Sequence, residues 1–390
     1  MSRRPVLVHL STVDMSLALL LLPQLVAFRE AGYDVVGVSA PGPYVEQLEQ
    51  HGIRHVPLTR STRANNLRAD LATARQFYRL CRELEPDIVH SHNPKPGIYG
   101  RIAARLARVP LVVNTVHGLY ALPEDPWPKR AIVYTLERVA ASFSHAELIQ
   151  NPEDLPVLRK LRIPAHKLHL LGNGVDLTRF NPDAYPDART RLRAELGVTD
   201  EQVVVGLVGR LVREKGYREV FEVARQLTRE HPQLVFVVVG PTDLDKADAI
   251  TQAEIDLAER QAGVRFLGAR DDVAELYLAM DLYVLASHRE GFPRSAMEAA
   301  AMGLPIVATD IRGCRQVVDH GTTGWLVGVR DIDALTAAID TLVVNHELRR
   351  TMAAAAREKA VRDFDDRAQI TRTLHCYSRQ HSDRSTSRLD

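Results

Sequence analysis

The sequence predicts two α/β domains in tandem, each built around a mainly parallel β-sheet. Three observations point there. The chain has 390 residues, and at roughly 100–200 residues per domain that length suits two. Short β-rich runs alternate with stretches of helical spacing, the pattern of βαβ units and therefore of parallel strands. The alternation then starts afresh after residue 200. Composition agrees: 45% hydrophobic and 25% charged residues is ordinary globular usage, which rules out a disordered, collagenous or disulfide-scaffold chain.

Taken in order, the first domain should carry strands at 6–10, 34–40, 54–58, 87–92, 111–117, 146–151 and 167–172, with helices such as 67–84 and 98–107 between them. The apolar run 17–28 is too short to span a bilayer. Although Arg3 and Arg4 precede it, Asp14 stands just ahead and Phe28-Arg29-Glu30 follows where a small-residue cleavage site belongs, so it reads as a buried helix rather than a secretory signal. The first domain is expected over 1–178. Residues 179–200, with Pro182, Pro186 and no apolar period, read as a linker. The second domain, 201–361, should carry strands at 203–209, 234–240, 264–268, 282–287, 305–309 and 324–329. A helix over 362–378 is expected to return to the first domain, and 379–390 reads as a disordered polar tail.

Net charge is +1, which argues against nucleic-acid binding through bulk positive charge. The first 170 residues are nonetheless basic and the remainder acidic. Cys81, Cys314 and Cys376 lie far apart without CxxC spacing, so no zinc cluster or disulfide framework can be read from them. A reducing cytoplasm fits best.

In open α/β sheets ligands bind beyond the carboxyl ends of the strands, and two such domains facing one another would make a central cleft. Residues just after strands therefore carry the functional reading. The stretch Ser287 to Gly303 leaves a strand, passes Pro293 and enters Ala-rich helix, whose N-terminal N–H groups suit a phosphate. Within it Glu290 and Glu298 are eight residues apart, which along a helix is roughly 12 Å of rise on broadly one side. Two carboxylates so placed can accept from vicinal hydroxyls at both ends of a nucleotide sugar. They can equally be a dipole partner and a solvated helix residue.

Gly209-Arg210 and Lys215-Gly216 follow another strand, and a guanidinium with an ammonium could neutralise a diphosphate there. His117 ends a first-domain strand before Gly118 and could face a reacting sugar or be structural. His90 and His92 share a strand face, which suggests a metal, but no third ligand is near in sequence and no metal is expected. Asp243-Leu244-Asp245 has the form of a metal-holding Asp-x-Asp, yet its acidic, hydrophilic surroundings read as a solvated loop.

Together these positions resemble the family 4 retaining glycosyltransferases of the GT-B fold, which have two Rossmann-like domains facing a central cleft. The resemblance runs from Val6 to about Tyr377. It is carried by Glu290-x7-Glu298 with Gly303-Leu304-Pro305, by Gly209-Arg210 with Lys215-Gly216, and by Asn173-Gly174-Val175-Asp176. Also matching are His90-Ser91-His92-Asn93-Pro94-Lys95-Pro96-Gly97, Thr115-Val116-His117-Gly118, Gly313-Cys314-Arg315 and Gly321-Thr322-Thr323-Gly324. These variants are similar to a bacterial subgroup that elongates lipid-linked or capsular oligosaccharides.

The resemblance implies that Arg210 and Lys215, with Gly291 and Phe292, bind the donor diphosphate, that Glu298 binds the ribose and Glu290 the donor hexose, and that His117 contacts the sugar. Catalytic roles fall to His117 and Glu290. Many members have Gly-Gly after the first strand, whereas this chain has Ser11 to Ser16, so no residue is carried over there. The implied activity is metal-independent transfer of a hexose or N-acetylhexosamine, with retention, from a nucleotide sugar such as a UDP-sugar to a glycan or polyprenyl-linked acceptor, with no cofactor. A hydrolysing sugar-nucleotide epimerase and a non-catalytic sugar-nucleotide sensor remain alternatives.

Arg54, Arg60, Arg63, Arg68, Arg75, Arg79 and Arg82 against the single acid Asp70 make residues 54–82 the densest basic stretch. Such a face suits peripheral docking on the inner, anionic membrane surface. Lys95, in the loop expected after His92, could then meet an acceptor phosphate.

Overall fold

The computed structural model describes residues 3–386 apart from 63, 65, 93, 244, 245 and 247. Arg63, Asn93, Asp245 and the last four residues of the expected tail thus lie outside the described residues. The chain forms two compact units, Met1–Gly172 with Arg367–Asp390, and Asn173–Asp366.

The first unit runs β1 (Val6–Val13), α1 (Asp14–Ser16), a π-helical turn (Leu17–Leu21), α2 (Leu22–Glu30), β2 (Asp34–Ala40), α3 (Val45–Gln50), β3 (Arg54–Pro57) and α4 (Leu67–Leu84). It continues with β4 (Ile88–His92), α5 (Pro94–Leu106), β5 (Leu111–Val116), α6 (Trp127–Ser142), β6 (Ala146–Ile149), α7 (Asp154–Lys160) and β7 (Leu168–Leu170). The second unit holds α8 (Ala188–Glu195), β8 (Val203–Val208), α9 (Tyr217–Glu230), β9 (Leu234–Val239), α10 (Gln252–Ala262), β10 (Arg265–Phe266), α11 (Val273–Ala279) and β11 (Leu282–Leu285). After these come α12 (Arg294–Ala301), β12 (Ile306–Thr309), β13 (Gly324–Val327), α13 (Ile332–Val344) and α14 (His346–Asp363), and α15 (Asp366–Thr386) rejoins the first unit.

Every strand pairing is parallel. The first sheet has the order β3-β2-β1-β4-β5-β6-β7 and the second β10-β9-β8-β11-β12-β13. Strands covered on both faces read as unbroken apolar runs, and β9, Leu-Val-Phe-Val-Val-Val, is buried throughout. Chain direction across each sheet reverses once, between β1 and β4 and between β8 and β11. In doubly wound sheets such a switch point opens a crevice beyond the strand ends.

Three expectations need correcting. Residues 179–200 are folded into the second unit, where Phe180, Ala188, Leu192 and Val198 are buried in its core. The signal was too sparse to read because α8 buries only two apolar side chains, Ala188 and Leu192, among charged ones. The run 17–28 is interrupted by the π-helical turn, which turns Leu19 and Leu20 outward. Helix α15 continues to Thr386 instead of ending before a tail at 379.

Candidate functional site

In the second unit the switch point brings the segments after β8 and β11 together. Gly216 has φ 73°, and a Cβ there would lie 2.0 Å from the Ala286 carbonyl oxygen, so only glycine permits this approach of the two backbones. The approach sets Lys215, from the first segment, against Glu290, from the second. Their ammonium and carboxylate form an ion pair with side chains 25% and 13% exposed. Ser287 Oγ donates to the same carboxylate at 2.8 Å, and a Cβ on Gly313 would fall 2.7 Å from the Glu290 carbonyl oxygen. Glu290 is thus fixed from three sides.

Glu290 is not on a helix, however. Helix α12 begins only at Arg294, so the expected single helical face does not exist and the two glutamates come from a loop and a helix. Proline 293, with no side-chain oxygen, leaves the helix start without a side-chain cap. Phe292 packs its ring on the unit's core and edge-on to Phe364, and its carbonyl accepts from Asn173 Nδ2 at 3.2 Å. Gly291 and Phe292 can therefore offer a donor backbone rather than side chains.

Glu298, one turn into α12, is 15% exposed; Tyr277 OH donates to it at 3.2 Å and Arg294 Nε lies 3.8 Å away. Burial pushes its carboxyl above the usual range, with Arg294 opposing. Beneath it Tyr283 OH bonds Ser295 Oγ at 2.7 Å and the Val208 carbonyl at 3.2 Å, tying α12 to the end of β8. Arg210 stands near this edge but pairs with Asp243 at 2.5 Å. Sequence reasoning missed Tyr277 and Tyr283 because their sequence signal is only that of core aromatics.

In the first unit, His117 follows β5 and, itself half-buried, joins a chain of imidazoles that runs inward to buried His92 and His9. His117 Nδ1 meets Gln150 Oε1 at 3.1 Å, His92 Nδ1 meets His117 Nε2 at 3.0 Å, and His9 Nδ1 meets His92 Nε2 at 2.9 Å. If Gln150 accepts, each Nδ1 carries the hydrogen and each Nε2 accepts, and the chain ends on His9 Nε2, buried without a partner. The reverse polarity would bury an unpaired N–H instead, the costlier end. Burial keeps all of them neutral: His117 is lowered to about 4, His9 to about 3, and His90 and His92 well below their ordinary value.

His9 also supplies what the sequence lacked, since the ligand atoms of His9, His90 and His92 lie within 4.8 Å of one another. His90 is already bonded on both sides, to Thr115 Oγ1 at 2.7 Å and Tyr377 OH at 2.5 Å. A polar residue inside the apolar run of β1 was the available signal for His9. Lys95 lies in the first turn of α5, not in a loop, and pairs with Asp70 at 2.9 Å while donating to the carbonyls of Thr62 and Ala64.

Comparison with known proteins bears on the family and the fold. Residues 188–359 match the family described as glycosyl transferases group 1, and residues 24–179 match glycosyltransferase family 4. The chain is 32% identical over 330 residues to the Escherichia coli UDP-Gal:alpha-D-GlcNAc-diphosphoundecaprenol alpha-1,3-galactosyltransferase, covering 83% of each. It is 26% identical to the Staphylococcus aureus capsular polysaccharide biosynthesis glycosyltransferase CapM, covering 91% of this chain and 92% of that one. Among solved structures, Anabaena HepE in complex with UDP and glucose superposes with a TM-score of 0.78 at 23% identity, over 95% of this chain and 99% of that one.

Two doubly wound parallel units are the GT-B fold, and the matching families are glycosyltransferases. The chain belongs to the family 4 glycosyltransferases. Among the described residues no helix is long and apolar enough to cross a membrane.

Proposed function

We propose that the protein transfers a hexose or N-acetylhexosamine from a UDP-sugar, with retention and without a metal, to a polyprenyl-diphosphate-linked oligosaccharide in cell-surface polysaccharide synthesis. The observation that carries this reading is the pairing of Lys215 with Glu290 at the second unit's switch point, in the loop that leads into the helix carrying half-buried Glu298. Lys215 and the start of α12 face the leaving diphosphate, Glu298 takes the ribose hydroxyls and Glu290 a hydroxyl of the transferred sugar. Arg210 joins the diphosphate by leaving Asp243. His117 offers Nε2 to the sugar once its bond to His92 opens.

The chemistry follows from charge. As the anomeric C–O bond breaks, the sugar becomes oxocarbenium-like and negative charge grows on the β-phosphate, where preorganised cations stabilise it. The acceptor hydroxyl attacks C1 on the face the phosphate leaves, and its proton passes to the departing phosphate oxygen. The products are UDP and a glycoside of unchanged configuration, with no carboxylate nucleophile needed. The E. coli relative, named for alpha transfer from UDP-Gal to a diphosphoundecaprenol-linked sugar, supports both the donor class and the acceptor. The pairing of Asp243 with Arg210 supports a salt-bridge role for that residue over a metal-holding one.

Incubation with a panel of UDP-sugars and a short-chain polyprenyl-diphosphate-linked acceptor tests the reading. Expected is UDP release coupled to acceptor elongation, with the product's anomeric proton in the α configuration. Arg210→Ala should lose about 2–4 kcal/mol of transition-state stabilisation. Release of free sugar without elongation, or near-normal turnover in Arg210→Ala, refutes the assignment.

A further inference from the structure

Polar side chains buried in a sheet need partners, and the first unit buries a line of imidazoles that pairs well in only one direction. His9 stands on β1 and His92 ends β4, both buried, while His117 lies just past β5. The ring planes of His9 and His92 are 16° apart with centroids separated by 5.1 Å, and the centroids of His92 and His117 are separated by 5.3 Å. With nitrogens 2.9 and 3.0 Å apart, these rings meet edge to edge, each junction being one hydrogen bond. Each lone pair in the line is thus aimed at the next nitrogen rather than at a common ion. His90 packs its ring on His92, centroids 4.3 Å apart, but gives its nitrogens to Thr115 and Tyr377 and stands outside the line.

A neutral imidazole has one N–H and one lone pair, so each bond fixes the next. Burial holds His117 at about 4 and His92 well below its ordinary value, which keeps both neutral. Inward the line stops at His9 Nε2, which finds no partner among the described residues and whose ring lies against Phe28, centroids 5.4 Å apart. The reverse direction would leave an unpaired N–H there. His92 therefore donates from Nδ1 to His117 Nε2, and His117 donates from Nδ1 to Gln150 Oε1, 3.1 Å away. A buried nitrogen without a partner costs stability, and an apolar side chain at position 9 would avoid that cost, so packing alone does not account for the line.

We propose that His92 is a positioning residue for the transfer reaction: it sets the tautomer of His117, so that His117 Nε2 meets the donor sugar as a hydrogen-bond acceptor and the sugar must offer a free hydroxyl there. A hydroxyl arriving at the junction donates to His117 Nε2 and accepts from His92 Nδ1–H, which leaves neither nitrogen unpaired. An ether or carbonyl oxygen only accepts and would face the Nε2 lone pair. This role rests on the proposed reading of the protein as a UDP-sugar transferase whose His117 meets the sugar.

NMR of the full chain labelled with ¹⁵N-histidine, with the His117 signals identified by their loss in His117→Gln, reads the tautomer without any donor. Nδ1 should carry the hydrogen and Nε2 should resonate as a bare acceptor; hydrogen on Nε2, or an imidazolium at pH 7, overturns the proposal. His92→Leu should lower kcat about 10–100-fold and leave UDP affinity unchanged. His92→Asn, whose amide N–H takes the place of Nδ1–H, should recover most of that loss, which a purely structural role would not allow. Wild-type kcat in His92→Leu, or equal losses in the two variants, overturns the proposal; if His92→Leu does not fold, a His92→Asn kcat more than about tenfold below wild type does so. Of UDP-glucose, UDP-galactose and their N-acetylamino counterparts, the one turned over is then supplied as its monodeoxy analogues. Removal of one hydroxyl should cost about tenfold in kcat/KM in wild type and little further in His92→Leu; an equal cost in both overturns the proposal. The expected tautomer in a protein that transfers no sugar refutes the transferase reading alone, and transfer by a protein with hydrogen on His117 Nε2 refutes the role of His92 alone.

Discussion

Replacing Glu298 by Gln should stabilise the protein and cripple donor binding at once. The carboxylate is 15% exposed, accepts a bond from Tyr277 OH at 3.2 Å, and has Arg294 at 3.8 Å. Burial raises its pKa, so its ionised form at neutral pH costs folding free energy. Glutamine keeps an acceptor for Tyr277 and removes the buried charge; the forfeited ion pair with partly exposed Arg294 is worth about 0.2–1 kcal/mol, less than the order of 1–2 kcal/mol expected for relieving the buried charge. The gain should raise Tm by about 2–4 °C per kcal/mol for a unit of this size.

The sign fixes the pH window. Because the folded pKa is raised, wild type loses stability as pH rises from the unfolded carboxyl range through the folded pKa. The advantage of Glu298→Gln is therefore full above that pKa and disappears as pH falls and Glu298 protonates. UDP binding moves the other way, since an amide accepts more weakly from the ribose hydroxyls. Losing a charged hydrogen bond costs about 1.5–3 kcal/mol, or roughly 10–150-fold in Kd. Scanning calorimetry from pH 5 to 8, with and without UDP, reads both effects. A lower Tm in the variant at pH 8, or an unchanged UDP affinity, refutes the reasoning.

Glu290→Gln should leave UDP affinity within about two-fold while lowering turnover about 100-fold, because Glu290 serves the transferred sugar; equal loss of UDP affinity in this variant and in Glu298→Gln contradicts the division of roles. Transfer should survive excess EDTA, and Asp243→Ala with Asp245→Ala should remain active; loss in EDTA restored by Mn²⁺ favours the metal-holding alternative. Arg101→Met should destabilise the first unit by about 3–5 kcal/mol in denaturant melts, since Glu137 and Glu147 lose their buried partner; a change below about 1 kcal/mol means that the carboxyls protonate without cost.

The sequence by itself determined both sheets. The thirteen strands among the described residues were legible, the inner ones because a strand buried on both faces must be a short apolar run between turn residues, a condition that β8, β9 and β12 meet without ambiguity. Glu290 and Lys215 drew notice because they lie in the segments that follow β11 and β8. What only the tertiary structure decided depends on residues far apart in the chain. Glu290 meets Lys215 across 75 residues, His9 meets His92 across 83 and His90 meets Tyr377 across 287. No local period encodes such distances. Helix α6 shows the same limit from the other side: its 3.6-residue period reveals an apolar stripe but not which way the stripe faces. Arg101 of α5, itself held by Glu147 of β6, draws Glu137 inward and thereby turns Ile132, Leu136 and Val139 to the outside.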